Sequence, residues 1–179
     1  MKCRAEIDSS TGFAPIVRSN ASILILGSLP SERSLQAGQY YAHPQNAFWR
    51  IMRDLTGAEG AYEERCATLV DHGIALWDVL RQSVRPGSMD ADIDLETAAC
   101  NDFDGFLSAH RHIALICFNG KKAAQLFQRF VVVDKAYLPG RFETLPSTSP
   151  AYASMTYDDK LARWRRAIGR PLDKTDSEL

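Results

Sequence analysis

The sequence predicts an α/β sandwich built around a mostly parallel sheet, and three observations favour this fold class. Short apolar runs bounded by turn residues are typical of strands that are buried on both faces. Segments with helical periodicity separate these runs, and such alternation is typical of parallel sheets. The chain has 179 residues, of which 45% are hydrophobic and 24% are charged. This is the composition of an ordinary globular protein with one core.

The N-terminal half predicts one strand followed by two helices. The apolar run "ASILILG" predicts a strand that ends at Gly27. The segment "PQNAFWRIMRDLTG" predicts a helix with Pro44 in its first turn and Gly57 just after its end. One stripe of this helix is apolar: Phe48, Ile51, Met52 and Leu55. The segment "AEGAYEERCATLVDHG" predicts a second helix, which Gly73 ends.

The C-terminal half predicts three more strands and three more helices. "IALWDVL" and "IALICF" are apolar runs of strand length, and a fourth strand is predicted from Phe142 to Leu145. "RQSVRPGSMDADID" is rich in turn residues and predicts a loop. Helices are predicted in "NDFDGFLSAHRH", with Asn101 or Asp102 as its cap, in "NGKKAAQLFQRF" and in "TYDDKLARWRRAIG".

Composition limits the organisation and the compartment of the protein. We expect one domain over residues 1–170 and a flexible tail over 171–179. No apolar run is long enough to cross a membrane, and "MKCRAEIDSS" lacks the apolar core of a secretory signal, so we expect a cytoplasmic protein. The four cysteines lie far apart in sequence, which favours reduced thiols over a metal site: Cys3, Cys66, Cys100 and Cys117.

Four polar loops follow the four predicted strands: "GSLPSERS", "WDVLRQS", "FNGKK" and "LPSTSP". Because ligands bind at the carboxyl ends of parallel strands, we expect these loops to form the site. Their glycines and hydroxyls suit phosphate groups, although each loop alone could equally be an ordinary capped turn. No Walker loop, dinucleotide fingerprint or G-x-S-x-G elbow is present. A net charge of −1 leaves room for a local basic patch that binds nucleic acid.

The stretch "QYYAHPQNAFWRIM" places flat rings beside an amide. Tyr40 and Tyr41 offer faces for stacking, and Asn46 both donates and accepts hydrogen bonds, as does Asn119 after the third strand. Rings and amides together predict a pocket for the edge of a nucleobase. The residues alone leave an alternative open, in which Asn46 starts a helix and Asn119 belongs to a turn.

These loops together resemble the uracil-DNA glycosylase superfamily, and in particular its hypoxanthine-DNA glycosylase branch. The resemblance rests on "GSLPSERSLQAGQYYAHPQNAFWRIM", "GIALWDVL", "FNGKKA" and "LPSTSPAYA", and it spans about Pro15 to Gly169. It implies a three-layer α/β/α sandwich with a four-stranded parallel sheet. It also implies hydrolysis of the N-glycosidic bond of a deaminated base in DNA by a monomer, without a metal or other cofactor.

The resemblance also assigns roles to residues. It makes Asn46 the catalytic residue, and makes Tyr41, which stacks on the base, Asn119, Ser28 and His43 the base contacts. It places DNA phosphates or the minor groove against four hydroxyls: Ser31, Ser147, Thr148 and Ser149. Leu29 stands where many members of the superfamily carry a water-positioning Asp or Asn, so that task would pass to Asn46. Tyr152 departs from the usual asparagine of the last loop.

Two further residues and two other functions stay open. Asp78 could act as a general base or be a turn carboxylate, and Lys121 could contact the DNA backbone or be solvated. We expect a monofunctional enzyme. The alternatives are a glycosylase for uracil or thymine in mismatches, and a DNA-binding module without catalysis.

Overall fold

A computed structural model describes residues 9–86 and 89–175, with side chains described for 10–86 and 89–169. Seven strands are present in these residues: β1 (Ser9–Thr11), β2 (Ile23–Gly27), β3 (Ile74–Asp78), β4 (Leu80–Val84), β5 (Ala99–Cys100), β6 (Leu115–Asn119) and β7 (Arg141–Leu145). The described helices are α1 (Glu32–Ala37), α2 (Phe48–Thr56), α3 (Tyr62–Asp71), α4 (Phe103–Ala109), α5 (Lys121–Phe130) and α6 (Tyr157–Thr175), with a 3-10 turn at Asp90–Asp92. Cys3 lies outside the described residues.

The main sheet has four strands in the order β3-β2-β6-β7, and every neighbouring pair is parallel. All residues of β2, β3 and β6 are buried, as expected of strands that are covered on both faces. Their carboxyl ends carry Gly27, Asp78 and Asn119, and β7 brings Leu145 to the same edge. The four predicted loops therefore meet at one edge of the sheet.

Helices cover both faces of this sheet, which confirms the α/β/α layers. On one face α4 and α5 pack on the sheet through residues such as Phe103, Phe106 and Phe127. On the other face α2, α3 and α6 pack on it through residues such as Phe48, Leu69 and Trp164. Alternate residues of β2, β3 and β6 point to opposite layers, so each of these strands contributes to both apolar clusters, whereas β7 contributes Leu145 to one of them.

Two predictions about the segment after β2 were wrong. A helix, α1, lies there that the sequence analysis did not predict; Ser31 caps its start and Gly38, at φ 63°, ends it. The next helix, α2, begins at Phe48 rather than near Pro44. Asn46 therefore precedes the helix, and its Oδ1 accepts a hydrogen bond from the backbone N–H of Phe48 at 3.0 Å.

The segment predicted as a loop after β3 contains a strand instead. β4 pairs antiparallel with β1 and with β5 in a second, small sheet. Its polar residues Arg81 and Gln82 are exposed, so it lacks the apolar run by which the other strands were predicted. Tertiary pairing, rather than local preference, makes this segment a strand.

The closing helix α6 continues to Thr175, five residues beyond the predicted domain boundary, while residues 176–179 lie outside the described residues. The division into one domain and a tail stays a prediction. Within the described residues, no helix has the length and apolar character needed to cross a membrane.

Candidate active site

A cavity of about 320 Å³ opens at the carboxyl edge of the main sheet. Every site residue predicted from the sequence lines it: Ser28, Ser31, Tyr41, His43, Asn46, Asp78, Asn119, Lys121, Ser147, Thr148 and Ser149. The volume is near the lower end of roughly 300–1,000 Å³ that is usual for small-molecule sites. The sheet edge thus brings together residues that are up to 121 positions apart.

Gly27, Asp78 and Tyr41 meet at the floor of this cavity. A Cβ added to Gly27 would lie 2.3 Å from Oδ1 of Asp78 and 2.9 Å from the hydroxyl oxygen of Tyr41. The absence of a side chain at Gly27 therefore lets a carboxyl group and a phenol approach the same point. Asn101 fixes the end of β3 here, because its Nδ2 donates to the backbone carbonyl of Asp78 at 2.8 Å.

Asp78 is a buried acid, with 3% of its surface exposed. Its Oδ2 has no hydrogen-bond partner in the described part of the chain. Burial, followed by the nearby Asp90 carboxylate, raises the pKa of Asp78 to about 7, although Arg85 opposes both. Asp78 therefore changes its protonation state near neutral pH.

Tyr41 presents its ring and its hydroxyl to the site in a strained conformation. Its φ of 54° lies in the left-handed region, which is uncommon for a residue with a side chain. The ring stacks on Phe48, with 4.1 Å between centroids and 26° between planes. Burial, followed by the charge of Asp78, raises the pKa of the Tyr41 phenol, while the Asn119 amide lowers it. No hydrogen bond of normal geometry reaches this hydroxyl from the described residues.

Asn46 lies half-buried in the wall of the cavity. A turn fixes its backbone, because its N–H donates to the carbonyl of His43 at 2.9 Å. Since Oδ1 accepts from Phe48, the amide is held in one orientation. Its Nδ2 has no partner among the described residues and can donate to a bound molecule.

Asn119 has a structural contact that the sequence analysis did not foresee. Its Nδ2 donates to Oγ1 of Thr148 at 2.8 Å, and its Oδ1 accepts from the backbone N–H of Thr148 at 2.9 Å. Both ends of the amide thus hold the loop after β7. Reading of a base edge by Asn119 stays a prediction, and only one N–H and one lone pair remain for it.

Thr148 is the predicted phosphate contact that the structure places least favourably. It is 1% exposed, and its backbone carbonyl accepts from the N–H of Ala47 at 2.9 Å. A residue so deeply buried joins two loops more readily than it meets a phosphate. Ser147 and Ser149 in the same loop are half-buried and line the cavity.

The remaining predicted residues lie around the cavity in different environments. Ser28 is nearly buried and donates to Oδ1 of Asp90 at 2.5 Å. Ser31 caps α1, and Nδ1 of His43 accepts from the backbone N–H of Gln45 at 3.2 Å. Lys121 is exposed at the first turn of α5.

Three residues near the site are not predicted by the sequence, because the segment between β4 and β5 shows mainly turn residues. Asp90 receives the Ser28 hydrogen bond, and Met89 lies at the cavity with 53% of its surface exposed. Arg85, which is buried, donates to the backbone carbonyls of Leu29 and Pro30. The acidic run "DADID" was the visible signal, whereas nothing in the sequence indicates a buried arginine.

A parallel sheet with a cavity of rings, amides and carboxyls at its carboxyl edge places the protein in the class of α/β proteins that bind a ligand at the ends of parallel strands. The profile of the uracil DNA glycosylase superfamily matches residues 14–170. The chain therefore belongs to the uracil DNA glycosylase superfamily.

Relatives place the chain more closely within this superfamily. A hypoxanthine DNA glycosylase of Methanosarcina acetivorans is 43% identical over 117 residues, which cover 64% of this chain and 73% of the relative. One of Methanosarcina barkeri is 38% identical over the same shares. The solution NMR structure of a candidate uracil DNA glycosylase from Methanosarcina acetivorans superposes with a TM-score of 0.74 at 34% identity. It covers 93% of this chain and 99% of that one. The predicted family and fold are confirmed.

Proposed function

We propose that the protein is a monofunctional DNA glycosylase that hydrolyses the N-glycosidic bond of hypoxanthine in DNA and leaves an abasic site. Membership of the uracil DNA glycosylase superfamily supports the reaction on a deaminated base in DNA. The names of the Methanosarcina relatives support hypoxanthine as the base. One structural observation carries the proposal: Tyr41, Asn46 and Asp78 line a single cavity of base-binding size.

The reaction needs a base that has left the helix. A deaminated base pairs poorly, so its extrusion costs less than that of a normal base, a few kcal/mol at most. In the cavity the ring of Tyr41, itself supported by Phe48, offers a face on which the base can stack. Stacking orients the base with its edge toward the polar floor.

Cleavage leaves positive charge on the sugar and negative charge on the base. Asn46 acts on the base, because its free Nδ2 donor is held at a fixed orientation by the Phe48 contact. One such preorganised donor lowers a barrier by roughly 3–4 kcal/mol. Leu29 packs in an apolar cluster, so this position of the first loop carries no polar group that could hold water.

Hydroxyls and one exposed amine suit the DNA backbone. Ser147 and Ser149 lie in the loop that Asn119 holds, and Lys121 begins α5 beside the cavity. We assign phosphate contacts to these three residues. Phosphate contacts position the duplex and carry no sequence information.

The test is an oligonucleotide panel that carries inosine, uracil, G·T or xanthine, with undamaged duplex as the blank. Released abasic sites are cleaved with alkali and counted. We expect the inosine duplex to be cleaved fastest. Asn46→Ala should lower its single-turnover rate about 100- to 1,000-fold. Gln45→Ala, an exposed amide on the same turn, is the matched control.

Other outcomes would replace parts of the proposal. Faster release of uracil or of mismatched thymine would select the alternative substrate. Tight binding without release of any base would select a DNA-binding module. Borohydride trapping of a protein–DNA adduct would contradict the monofunctional mechanism. A monomeric state and a cytoplasmic location stay predictions.

A further inference from the structure

Two buried polar groups at the cavity floor lack partners among the described residues. These are Oδ2 of Asp78 and the hydroxyl of Tyr41. Both residues line the cavity, and both flank the space above Gly27. Buried polar groups are nearly always hydrogen-bonded, so two unpaired groups side by side need an explanation. A bound molecule that fills the cavity would supply their partners.

The surroundings of Asp78 favour its neutral form. Charged and titratable groups face it or share its cavity from several elements: Arg85 and Asp90 after β4, Tyr40, Tyr41 and His43 after α1, Lys121 and Lys122 on α5, and Tyr152 after β7. Burial and the Asp90 carboxylate outweigh Arg85, and the pKa of Asp78 is raised to about 7. At neutral pH and below, the group at the floor can therefore donate a hydrogen bond.

We propose that Asp78 is a second catalytic residue, a general acid that gives its proton to the departing base. The proposal rests on the proposed function. The bond between the sugar carbon and the base nitrogen breaks, and its electron pair goes to the base. The O–H bond of Asp78 breaks, and the proton goes to an acceptor on the base edge. Water adds to the sugar carbon and releases one proton, which returns Asp78 to its acid form.

The depth of Asp78 in the cavity indicates that its proton goes to the base and not to the sugar. With 3% of its surface exposed, Asp78 lies beneath the space where the base would stack on Tyr41. The sugar stays attached to the DNA backbone and must remain nearer the cavity mouth. A six-oxo purine presents two neighbouring acceptors on one edge. Asp78 can donate its proton to one acceptor of such an edge while the base stacks on Tyr41.

The pH dependence of single-turnover release from an inosine duplex tests this role. For the wild type we expect a rate that is constant at low pH and falls about tenfold per pH unit above about pH 7. Asp78→Asn keeps the size and shape of the side chain, but the amide cannot act as a general acid. It should be roughly 100-fold slower at pH 6 and should lose the pH-dependent fall. Asp92→Asn, an exposed carboxyl outside the cavity lining, should match the wild type.

Several results would overturn the proposal. One is an Asp78→Asn protein that keeps both the rate and the fall above neutral pH. Another is a uniformly slower variant that keeps the fall, since this is what a structural role predicts. If the variant does not fold, as judged by circular dichroism, the wild-type profile decides, and a flat profile up to pH 9 rejects a general acid. A wild type that releases no base from any duplex would reject the proposed function as well.

Discussion

The buried carboxyl of Asp78 makes the stability of the protein depend on pH. Its pKa rises from 3.8 to about 7 on folding, chiefly through burial. A raised pKa favours the folded state fully below the unfolded value, and that contribution is lost as the pH rises toward the folded value. The free energy of unfolding should therefore fall between about pH 4 and pH 7, and Asp78 should contribute no further change above that.

Asp78→Asn should stabilise the folded protein at pH 8, because the amide is neutral at every pH. A shift of about three pKa units corresponds to about 4 kcal/mol. Near pH 4 the difference should shrink to less than about 1 kcal/mol. Urea unfolding at several pH values measures the difference in the free energy of unfolding between variant and wild type, with Asp92→Asn as the control. An equal difference at all pH values would show that Asp78 does not titrate in this range.

Gly27 is required because two functional groups occupy the place of its side chain. In Gly27→Ala the new Cβ would lie within 2.3 Å of Oδ1 of Asp78, so the carboxyl or the strand must shift. We expect at least about a tenfold loss of single-turnover rate, since small displacements of catalytic groups are costly. Gly140→Ala is the control, because no atom lies within 4 Å of its added Cβ. Unchanged kinetics in Gly27→Ala would show that the floor adapts without loss.

At the scale of elements, the strands of the main sheet could be predicted because burial on both faces leaves a visible apolar run. The ends of β2, β3 and β6 at Gly27, Asp78 and Asn119 agree closely with those runs. β4 could not be predicted in this way, since its exposed polar residues follow no apolar pattern. The six-residue helix α1 is too short for periodicity to reveal, and only its capping serine and terminal glycine mark it.

The sequence predicts which residues line the site better than it predicts what each side chain contacts. Strand ends fixed where Asn119 and Asp78 lie, because parallel strands deliver their last residues to one edge. The partners of these side chains depend on atoms far along the chain, as with Asn119 and Thr148, which are 29 positions apart. Such pairings leave no trace in a single sequence.

The loop after β7 should depend on the Asn119 amide. Asn119→Ala removes the acceptor of the Thr148 N–H and the donor to its hydroxyl, both of them buried. An unpaired buried group costs about 1–3 kcal/mol, and the free energy of unfolding should fall by that amount. Hydrogen exchange at the Thr148 amide should become faster. Asn20→Ala, an exposed turn residue, is the control.

This prediction separates holding the loop from reading the base. If Asn119 only reads the base, the variant should lose activity while its stability and the exchange at Thr148 stay at the wild-type values. If the variant loses both activity and stability, and its activity recovers partly at low temperature, where the loop is better ordered, Asn119 has a positioning role.

Across the whole molecule, charge is almost balanced, with 21 basic and 22 acidic residues. A protein with a net charge of −1 gains little from its overall field when it approaches DNA. Attraction must come from the surface around the cavity, where Lys121 and Lys122 begin α5. We therefore expect weak binding to undamaged duplex, with few released counterions.

Lys121→Gln should reduce the salt dependence of binding to undamaged duplex. Each phosphate contact contributes about 0.9 to the slope of log K against log salt, so the slope should fall by about one. Fluorescence anisotropy between 50 and 200 mM salt, a range chosen to span roughly physiological strength, measures it. Lys135→Gln is the matched control, because Lys135 lies in the turn before β7, at the opposite edge of the sheet from the cavity. If both variants reduce the slope equally, the phosphates are not held at the cavity, and the carboxyl edge of the sheet is not the surface that the duplex meets.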